Sequence, residues 1–211
     1  MISVQTPSRL HFGLLNVGAA QPWLNIDGQA VIPARQFGGA GMMVNEPAIV
    51  VRIQPAKAWS AHGPLAEKAL AFARQFAATV SELSPQQIQI ETLAPAHVGL
   101  GTGTQLALAV AKALAITCGH DDWDSVELAR RVGRGRRSAV GIYGFLHGGF
   151  IVEGGKCPDS EIGPLVARYE VPSEWHIVLV LPQSPVGRSG EPERKTFEDL
   201  MQRATTREVE T

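Results

Sequence analysis

Residues 95–105 read PAHVGLGTGTQ, with glycine at the alternate positions 99, 101 and 103. Glycine lets the backbone bend sharply and lets a ligand approach the main chain without meeting a Cβ atom. An apolar run, Leu106–Cys118, follows directly. A helix that begins at such a loop offers unpaired N–H groups and the positive end of its dipole. The stretch therefore predicts an anion site suited to phosphate or pyrophosphate.

The loop differs from the two common nucleotide-binding fingerprints. It lacks the Gly-Lys-Ser/Thr ending of a Walker A loop, and Gly103 comes too early for the third glycine of the dinucleotide fingerprint. Thr102 and Thr104 can add hydroxyl donors, or one of them can cap the helix. A plain tight turn before a packed helix is the structural alternative. We predict phosphate contacts for Gly99, Gly101, Thr102, Gly103 and Thr104.

The composition is that of an ordinary globular protein. Of its 211 residues, 45% are apolar and 18% are charged, which argues against disorder. A net charge of −1 gives no general attraction to nucleic acid or to membranes. Cys118 and Cys157 form neither a disulfide framework nor a metal-ligand spacing. Because the N-terminus also lacks the pattern of a signal peptide, we expect a cytoplasmic protein.

Periodicity predicts a mixture of strands and helices. Helical spacing covers residues 64–83, 103–117 and 124–132, and Asp124 with Glu127 forms a capping box for the last of these helices. The predicted strands are 2–7, 10–17, 41–44, 48–54, a strand around Ile88 and Ile90, 148–152 and 176–181. The absence of regular βαβ alternation favours an α+β fold.

Four blocks of the sequence together carry a family resemblance. They are PSRLHFGLLN (7–16), FGGAGMMV (37–44), GLGTGTQLALAVAKAL (99–114) and RGRRSAVGIYGFLHGGFIVEGG (134–155). The first and third resemble the first motif and the glycine loop of the GHMP kinase superfamily. More narrowly, the four blocks resemble the β-ribofuranosylaminobenzene 5′-phosphate synthase family. The resemblance implies an α+β, GHMP-kinase-like N-terminal domain.

The resemblance also implies a reaction. The family joins phosphoribosyl pyrophosphate to 4-hydroxybenzoate or 4-aminobenzoate and releases CO2 and pyrophosphate, in the biosynthesis of methanopterin-type one-carbon carriers. Mg²⁺ on the pyrophosphate is implied, and no organic cofactor. GHMP kinases, in contrast, bind ATP and often carry an aspartate in the segment that matches residues 138–145, where this sequence has no carboxylate. A GHMP small-molecule kinase and a truncated, non-catalytic anion-binding relative remain as alternatives.

Several side chains outside the loop are candidates for the site. Arg9 and His11 alternate on a strand and share a face, so we predict them as catalytic residues; a solvent-exposed strand face is the alternative. Arg134, Arg136 and Arg137 lie in a glycine-interrupted loop and are predicted to bind phosphate. Arg130 and Arg131 end a helix, where positive charge is favourable in any case.

Two further features are open to two interpretations each. Residues 38–41, with glycine at 38, 39 and 41, indicate a second close approach of backbones, or a β-bulge. Glu153 could hold Mg²⁺ through water, but a solvated carboxylate at a strand end is the simpler interpretation. The sequence therefore identifies no metal ligand.

The length of the chain bears on its domains. Relatives of this kind usually have a second, C-terminal domain. We expect the GHMP-kinase-like N-terminal domain to cover residues 1–173. Residues 174–211 would then begin a shortened or incomplete C-terminal domain, or form a tail. The expected partners are small-molecule substrates, without nucleic acid or membrane, and a homodimer is left open.

Overall fold

A computed structural model describes residues 1–15, 23–24, 27–32, 35–181, 195–196 and 199 of the chain. The strands are β1 (Ile2–Leu15), β2 (Trp23–Leu24), β3 (Ala30–Ile32), β4 (Gly38–Pro55), β5 (Ser60–His62), β6 (Gln86–Thr92), β7 (Phe150–Glu153) and β8 (Leu165–Tyr169). The helices are α1 (Ala66–Ala77), α2 (Thr102–Thr117), α3 (Ser125–Arg131) and α4 (Val140–His147).

The long strand β4 organises a sheet of six strands. β1 pairs with it antiparallel along nearly its whole length, from Ile2 opposite Ile53 to Leu15 opposite Gly38. β6 pairs with the second half of β4 and β7 with the first half, and both pairings are antiparallel. β8 then adds to β7, and β5 adds to β6 as the parallel member of the sheet. The mainly antiparallel sheet with helices is the α+β architecture that the sequence predicts.

Helix α2 forms the centre of the core. Eleven of its 16 residues are buried, and it packs against β1 and β4 as well as α1, α3 and α4. A helix with neighbours on so many sides must be apolar nearly all round, which explains the run ALAVAKALA (residues 107–115). Although α2 is apolar, no helix among the described residues is both long and apolar enough to cross a membrane.

One polar side chain is buried in this core at the start of α2. Gln105 is completely buried; its Oε1 accepts a hydrogen bond from the Thr6 hydroxyl at 2.5 Å, and its Nε2 donates to the Gly141 carbonyl at 2.7 Å. A buried amide that lost either partner would keep its desolvation cost without compensation. Gln105 therefore ties the first turn of α2 to β1 and to α4.

Glycines let α4 approach the sheet closely. A Cβ on Gly144 of α4 would collide with Met43 of β4. A Cβ on Gly41 would lie 2.8 Å from Cγ1 of Val140, the first residue of α4, and would also collide with the Leu10 carbonyl. The close approach of backbones that residues 38–41 predict is therefore present. It brings the start of α4 close to β4 and β1.

The structure differs from the predicted elements at several points. The strands predicted at 2–7 and 10–17 form one strand, β1, and those at 41–44 and 48–54 form β4; Val17 lies outside the described residues. The helix predicted over 64–83 is shorter in the structure, where it is α1. The elements that were not predicted are α4, β2, β3, β5 and β8. The strand predicted at 176–181 is wrong, because these residues have no regular structure and several of their side chains are exposed.

We predict that replacing Gln105 by leucine destabilises the fold. The substitution removes the acceptor of the buried Thr6 hydroxyl and the hydrogen bond to the Gly141 carbonyl, so the free energy of unfolding should fall by about 2–3 kcal/mol. Denaturant titration measures the change. The matched control is Gln54→Leu, which removes an exposed amide on β4 and should change stability by no more than about 0.5 kcal/mol. Equal effects of the two substitutions would contradict this role of Gln105.

Candidate active site

The glycine loop ends in a helix start that exposes backbone donors. Gly99 and Gly101 have φ angles of 88° and 69°, in the left-handed region that favours glycine, and Gly101 is the N-cap of α2. The N–H groups of Thr104 and Gln105 both donate to the Gly101 carbonyl. At the start of a helix, the N–H groups of Thr102 and Gly103 have no carbonyl one turn earlier to accept them. These two groups are the donors available for an anion.

The two threonines of the loop differ in what they offer. Thr102 is buried, and its hydroxyl donates to the Pro95 carbonyl at 2.8 Å. Its hydroxyl therefore stabilises the loop, and only its backbone N–H remains for the predicted contact with phosphate. Thr104 is half-buried beside Gly141, with its N–H already used inside the helix.

Arg9 of β1 lies against the glycine loop. Its backbone N–H donates to the Leu100 carbonyl at 2.9 Å, and its Nη2 lies 3.4 Å from the Gly99 carbonyl. A Cβ on Gly101 would lie 3.1 Å from both Cβ and Nε of Arg9. The absent side chain at Gly101 therefore leaves the space that the Arg9 side chain occupies.

Arg134 reaches the same helix turn from the α3–α4 loop. Its Nη2 donates to the Gly103 carbonyl at 2.8 Å, and its guanidinium lies over the Phe72 ring of α1, 4.8 Å from the ring centre. A Cβ on Gly103 would lie 3.3 Å from this Nη2. Two guanidiniums, from Arg9 and Arg134, thus add positive charge to the positive end of the α2 dipole.

The other arginines of this region are placed differently. Arg136 is exposed and Arg137 is half-buried, and neither has the close approach to Gly103 that Arg134 makes. Arg130 forms an ion pair with Glu161 at 2.9 Å, and Arg131 forms one with Glu127 at 2.6 Å. The helix-end interpretation of Arg130 and Arg131 agrees with these contacts.

Three polar side chains, from two strands and from the segment before α4, meet next to Arg9. His11 of β1 lies with Nε2 at 2.9 Å from the Ser138 hydroxyl oxygen, and the Ser138 hydroxyl donates to Glu153 Oε1 at 2.5 Å. The other oxygen of Glu153 accepts from the Ala139 N–H at the start of α4. We call Glu153, Ser138 and His11 the triad.

Burial shifts the pKa values of both ends of the triad. Desolvation, followed by the positive charge of Arg9, lowers the pKa of His11 from 6.5 to about 4. Burial raises the pKa of Glu153, while the hydrogen bonds from Ser138, Ala139 and Val140 and the charge of Arg9 act in the opposite direction. His11 is therefore neutral at physiological pH.

The buried position of Glu153 corrects the simpler interpretation of this residue. Only 3% of it is exposed, so it is not a solvated carboxylate at a strand end. The sequence signal that could have revealed this is its place after FIV in a strand that carries Ile151 into the core. Ser138 was likewise not predicted as a site residue.

The segment that matches the kinase aspartate region forms most of α4. Tyr143, in this segment, donates its hydroxyl to the Gly163 carbonyl at 2.8 Å, and burial raises its pKa. The hydroxyl is therefore engaged and held protonated. It offers no general base to an acceptor hydroxyl.

The described residues contain no cluster of three or more His, Cys, Asp or Glu side chains that could hold a metal ion. Both oxygens of Glu153 already accept hydrogen bonds from the protein. The residues of the site therefore do not fit a metal centre built from protein ligands. The two cysteines are free thiols.

A cavity of about 740 Å³ lies at the opposite end of α2. It is lined by Thr117 and Cys118 at the helix C-terminus and by Trp123, whose ring stacks on His120 and lies under Arg131. A helix C-terminus presents carbonyl oxygens and the negative end of the dipole. The negative end of the α2 dipole therefore makes this cavity less suited to phosphate than the glycine loop at the opposite end of the helix.

Comparison with known families agrees with this picture. Residues 65–149 match the family model described as GHMP kinases N terminal domain. A β-ribofuranosylphenol 5′-phosphate synthase of Methanothermobacter thermautotrophicus is 32% identical over 93% of this chain, and one of Archaeoglobus fulgidus is 30% identical over 94%. The chain spans 62% of the length of each of these two relatives. The family resemblance predicted from the four sequence blocks is confirmed.

Solved structures show the same fold at low sequence identity. A Listeria monocytogenes protein assigned as a homoserine kinase superimposes with a TM-score of 0.54 over 81% of this chain and 54% of its own, at 14% identity. A mevalonate kinase superimposes with a TM-score of 0.50 over 72% of this chain and 53% of its own, at 13% identity. The α+β fold of GHMP kinase N-terminal domains is therefore confirmed.

We predict that His11 makes stability depend on pH. Its pKa is about 4 in the fold and 6.5 in the unfolded chain. Stability is therefore complete above pH 6.5 and is lost as pH falls towards 4, because the unfolded chain binds the proton first. Between pH 7.5 and 5 the wild type should lose about 1–2 kcal/mol more than His11→Gln, allowing for solvent screening.

Denaturant titration of both proteins at the two pH values measures the difference. Glu153 is retained in the variant, so its own titration contributes to both proteins. Parallel losses of stability in wild type and variant would show that His11 is not held neutral by the fold.

Proposed function

As a homologue of the β-ribofuranosylphenol 5′-phosphate synthases with a GHMP kinase N-terminal domain, this protein is, we propose, a phosphoribosyl-pyrophosphate-dependent transferase. It joins phosphoribosyl pyrophosphate to 4-hydroxybenzoate or 4-aminobenzoate, with loss of CO2 and pyrophosphate. The reaction belongs to the biosynthesis of methanopterin-type one-carbon carriers. The observation that carries the proposal is the pair of arginines, Arg9 and Arg134, that lie against the glycine loop. It is supported by Tyr143, which lies in the segment that carries an aspartate in many GHMP kinases and whose hydroxyl donates to the Gly163 carbonyl.

The glycine loop would bind the pyrophosphate. As the bond from ribose C1 to the pyrophosphate oxygen breaks, C1 becomes oxocarbenium-like and negative charge grows on the leaving group. The N–H groups of Thr102 and Gly103 are fixed in place before the reaction, which makes them effective in stabilising that charge. Arg9 and Arg134 carry the opposite charge beside them. No protein nucleophile is needed.

The acceptor supplies the nucleophile in this reaction. The ring carbon that carries the carboxylate attacks ribose C1, and CO2 then leaves as the ring regains its aromaticity. Mg²⁺ would enter as part of the substrate, bound to the diphosphate oxygens and to water, which is how Mg²⁺ commonly binds in phosphate sites. The protein binds the diphosphate oxygens of the substrate, and the reaction needs no metal ion that is held by protein side chains.

A GHMP small-molecule kinase is the alternative. The shared glycine loop favours it, because the loop can serve the phosphates of ATP as well as those of phosphoribosyl pyrophosphate. Against it, the segment that carries an aspartate in many of these kinases has no carboxylate here, and the Tyr143 hydroxyl in that segment donates to the Gly163 carbonyl. A third candidate is a relative without activity that keeps the loop as an anion-binding module.

We predict that the full-length gene product releases labelled CO2 from carboxyl-labelled 4-hydroxybenzoate or 4-aminobenzoate when phosphoribosyl pyrophosphate and Mg²⁺ are present. Trapping of the released CO2 measures the reaction. Reactions without phosphoribosyl pyrophosphate, or with ATP in its place, are the controls. Release should require phosphoribosyl pyrophosphate and should be unaffected by ATP.

Absence of CO2 release under these conditions would exclude the synthase. Turnover of ATP would then identify a kinase. A rise in melting temperature on adding pyrophosphate, without any turnover, would identify an anion-binding module.

We also predict that Gly103→Ala weakens the binding of pyrophosphate by roughly tenfold or more while the fold remains intact. The added methyl group would lie beside the Gly103 N–H and against Arg134, so an anion there would lose contacts with both, and each lost hydrogen bond to a charged group is worth about 1.5–3 kcal/mol. In the protein, the methyl would meet only the flexible end of Arg134, at 3.3 Å. Calorimetric titration with pyrophosphate measures the affinity.

The control for this experiment is Arg136→Ala, which removes an exposed arginine of the same loop region. It should reduce the affinity less than Gly103→Ala does. A folded Gly103→Ala protein with wild-type affinity would show that the loop is only a structural turn.

A further inference from the structure

The triad is a hydrogen-bonded unit that the anion-binding role of the loop does not require. Glu153, Ser138 and His11 come from β7, from the segment before α4 and from β1, and 127 residues separate His11 from Ser138. If Glu153 served only to hold the start of α4, its bond to the Ala139 N–H would be sufficient. The Ser138 hydroxyl also links this carboxylate, through hydrogen bonds, to the imidazole of His11 on another strand.

The hydrogen bonds determine which atom of the triad donates each proton and which atom accepts it. The Gly13 N–H donates to His11 Nδ1 at 3.2 Å, so Nδ1 is the acceptor nitrogen and Nε2 carries the proton. His11 Nε2 therefore donates to Ser138, and the Ser138 hydroxyl donates to Glu153. The Val140 N–H also points to the Ser138 oxygen, at 3.3 Å. Each polar atom of the triad has a defined role.

This arrangement follows the logic of a carboxylate that orients a histidine base, with a hydroxyl placed between the two. When a proton arrives at Nδ1, the positive imidazolium is stabilised through Ser138 by the Glu153 carboxylate. Nδ1 is also the nitrogen on the exposed side of the ring, where its bond from Gly13 is long. A substrate hydroxyl can replace that bond.

We propose that His11 is the base that accepts a proton from the acceptor ring, and that Ser138 and Glu153 are the residues that position it. This inference rests on the proposed transferase function. His11 Nδ1 takes the proton of the 4-hydroxyl group, or of the 4-amino group, as the ring carbon forms its bond to ribose C1. The bond from C1 to pyrophosphate breaks and its electron pair leaves with the pyrophosphate.

The remaining steps return the proton. The attacked ring carbon then carries both the ribosyl group and the carboxylate, and the ring is a dienone. Loss of CO2 returns the electron pair of the broken carbon–carbon bond to the ring and onto the ring oxygen. That oxygen takes the proton back from His11, so the histidine is regenerated and neither an oxidant nor a reductant is required.

The charges around His11 allow the substrate to control its basicity. Burial, and then the charge of Arg9 on the same strand, lower the pKa of His11, and the Glu153 carboxylate of β7 contacts His11 only through Ser138. The glycine loop from Gly99 to Gln105 contributes no titratable side chain. An anion bound beside Arg9 offsets its charge, so His11 becomes a stronger base when pyrophosphate is present.

The first test does not depend on catalytic activity. We predict that ¹⁵N NMR of the imidazole, assigned by comparison with His11→Gln, shows the Nε2–H tautomer of His11 in the wild type. Ser138→Ala should shift the population towards a mixture of tautomers. Added pyrophosphate should raise the pKa of His11 by roughly 1 unit, the lower end of the shift that a neighbouring charge causes. An Nδ1–H tautomer, or a pKa that pyrophosphate does not change, would overturn the inference.

The second test uses the synthase reaction. Ser138→Ala and Glu153→Gln should each lower kcat for 4-hydroxybenzoate by roughly 10²-fold, the usual range for general acid–base catalysis, with little change in KM for phosphoribosyl pyrophosphate. Because residues that act as a unit are not additive, Ser138→Ala combined with His11→Gln should lose little more than His11→Gln alone. Wild-type kcat in a folded Ser138→Ala protein would refute the positioning role.

The matched control is Ser8→Ala. Ser8 lies on the same strand as His11, is fully buried, and donates its hydroxyl to the Pro47 carbonyl at 2.7 Å. Its loss should reduce stability without changing the His11 tautomer or kcat. A gene product that lacks synthase activity but shows the predicted NMR behaviour would refute the proposed reaction while retaining the triad as a positioning unit.

Discussion

The buried side chain of Gln105 is the constraint on which the candidate site depends. An amide without access to water must find both an acceptor and a donor inside the protein. Gln105 finds them on β1, at Thr6, and on α4, at Gly141. The first turn of α2 is thereby fixed between the strand that carries Arg9 and His11 and the helix whose start is held by Glu153. Hydrogen bonding in the core thus sets the geometry at the surface.

Glycine serves two purposes in this arrangement. In the loop, Gly101 adopts a left-handed conformation and leaves the space for Arg9. In the sheet and in α4, Gly41 and Gly144 allow main chains and side chains of neighbouring elements to approach closely. The same residue type thus supplies flexibility at one place and compactness at another, and only the three-dimensional context distinguishes the two.

Sequence reasoning succeeded where the signal is local. The glycine loop, the apolar run of α2 and the capping of α3 by Asp124 each lie within a few neighbouring residues, and the structure has all three. It failed where partners are distant. Glu153 was interpreted as solvated because its burial depends on β4 and α4, and α4 itself was hidden by its glycines. Residues 176–181 alternate like a strand, but in the described part of the chain they pair with no strand.

The separation of partners along the chain also bears on how the protein folds. Arg134 and Gly103 are 31 residues apart, so this contact closes a moderate loop. The bond between Thr6 and Gln105 spans 99 residues, and that between His11 and Ser138 spans 127. Closing a longer loop has a larger entropic cost, and folds rich in such contacts form slowly. We therefore expect the helical layer to assemble early. The imidazole can meet its serine only after β1 has joined the sheet, so we expect the chemistry of the site to be among the last features that the folding chain acquires.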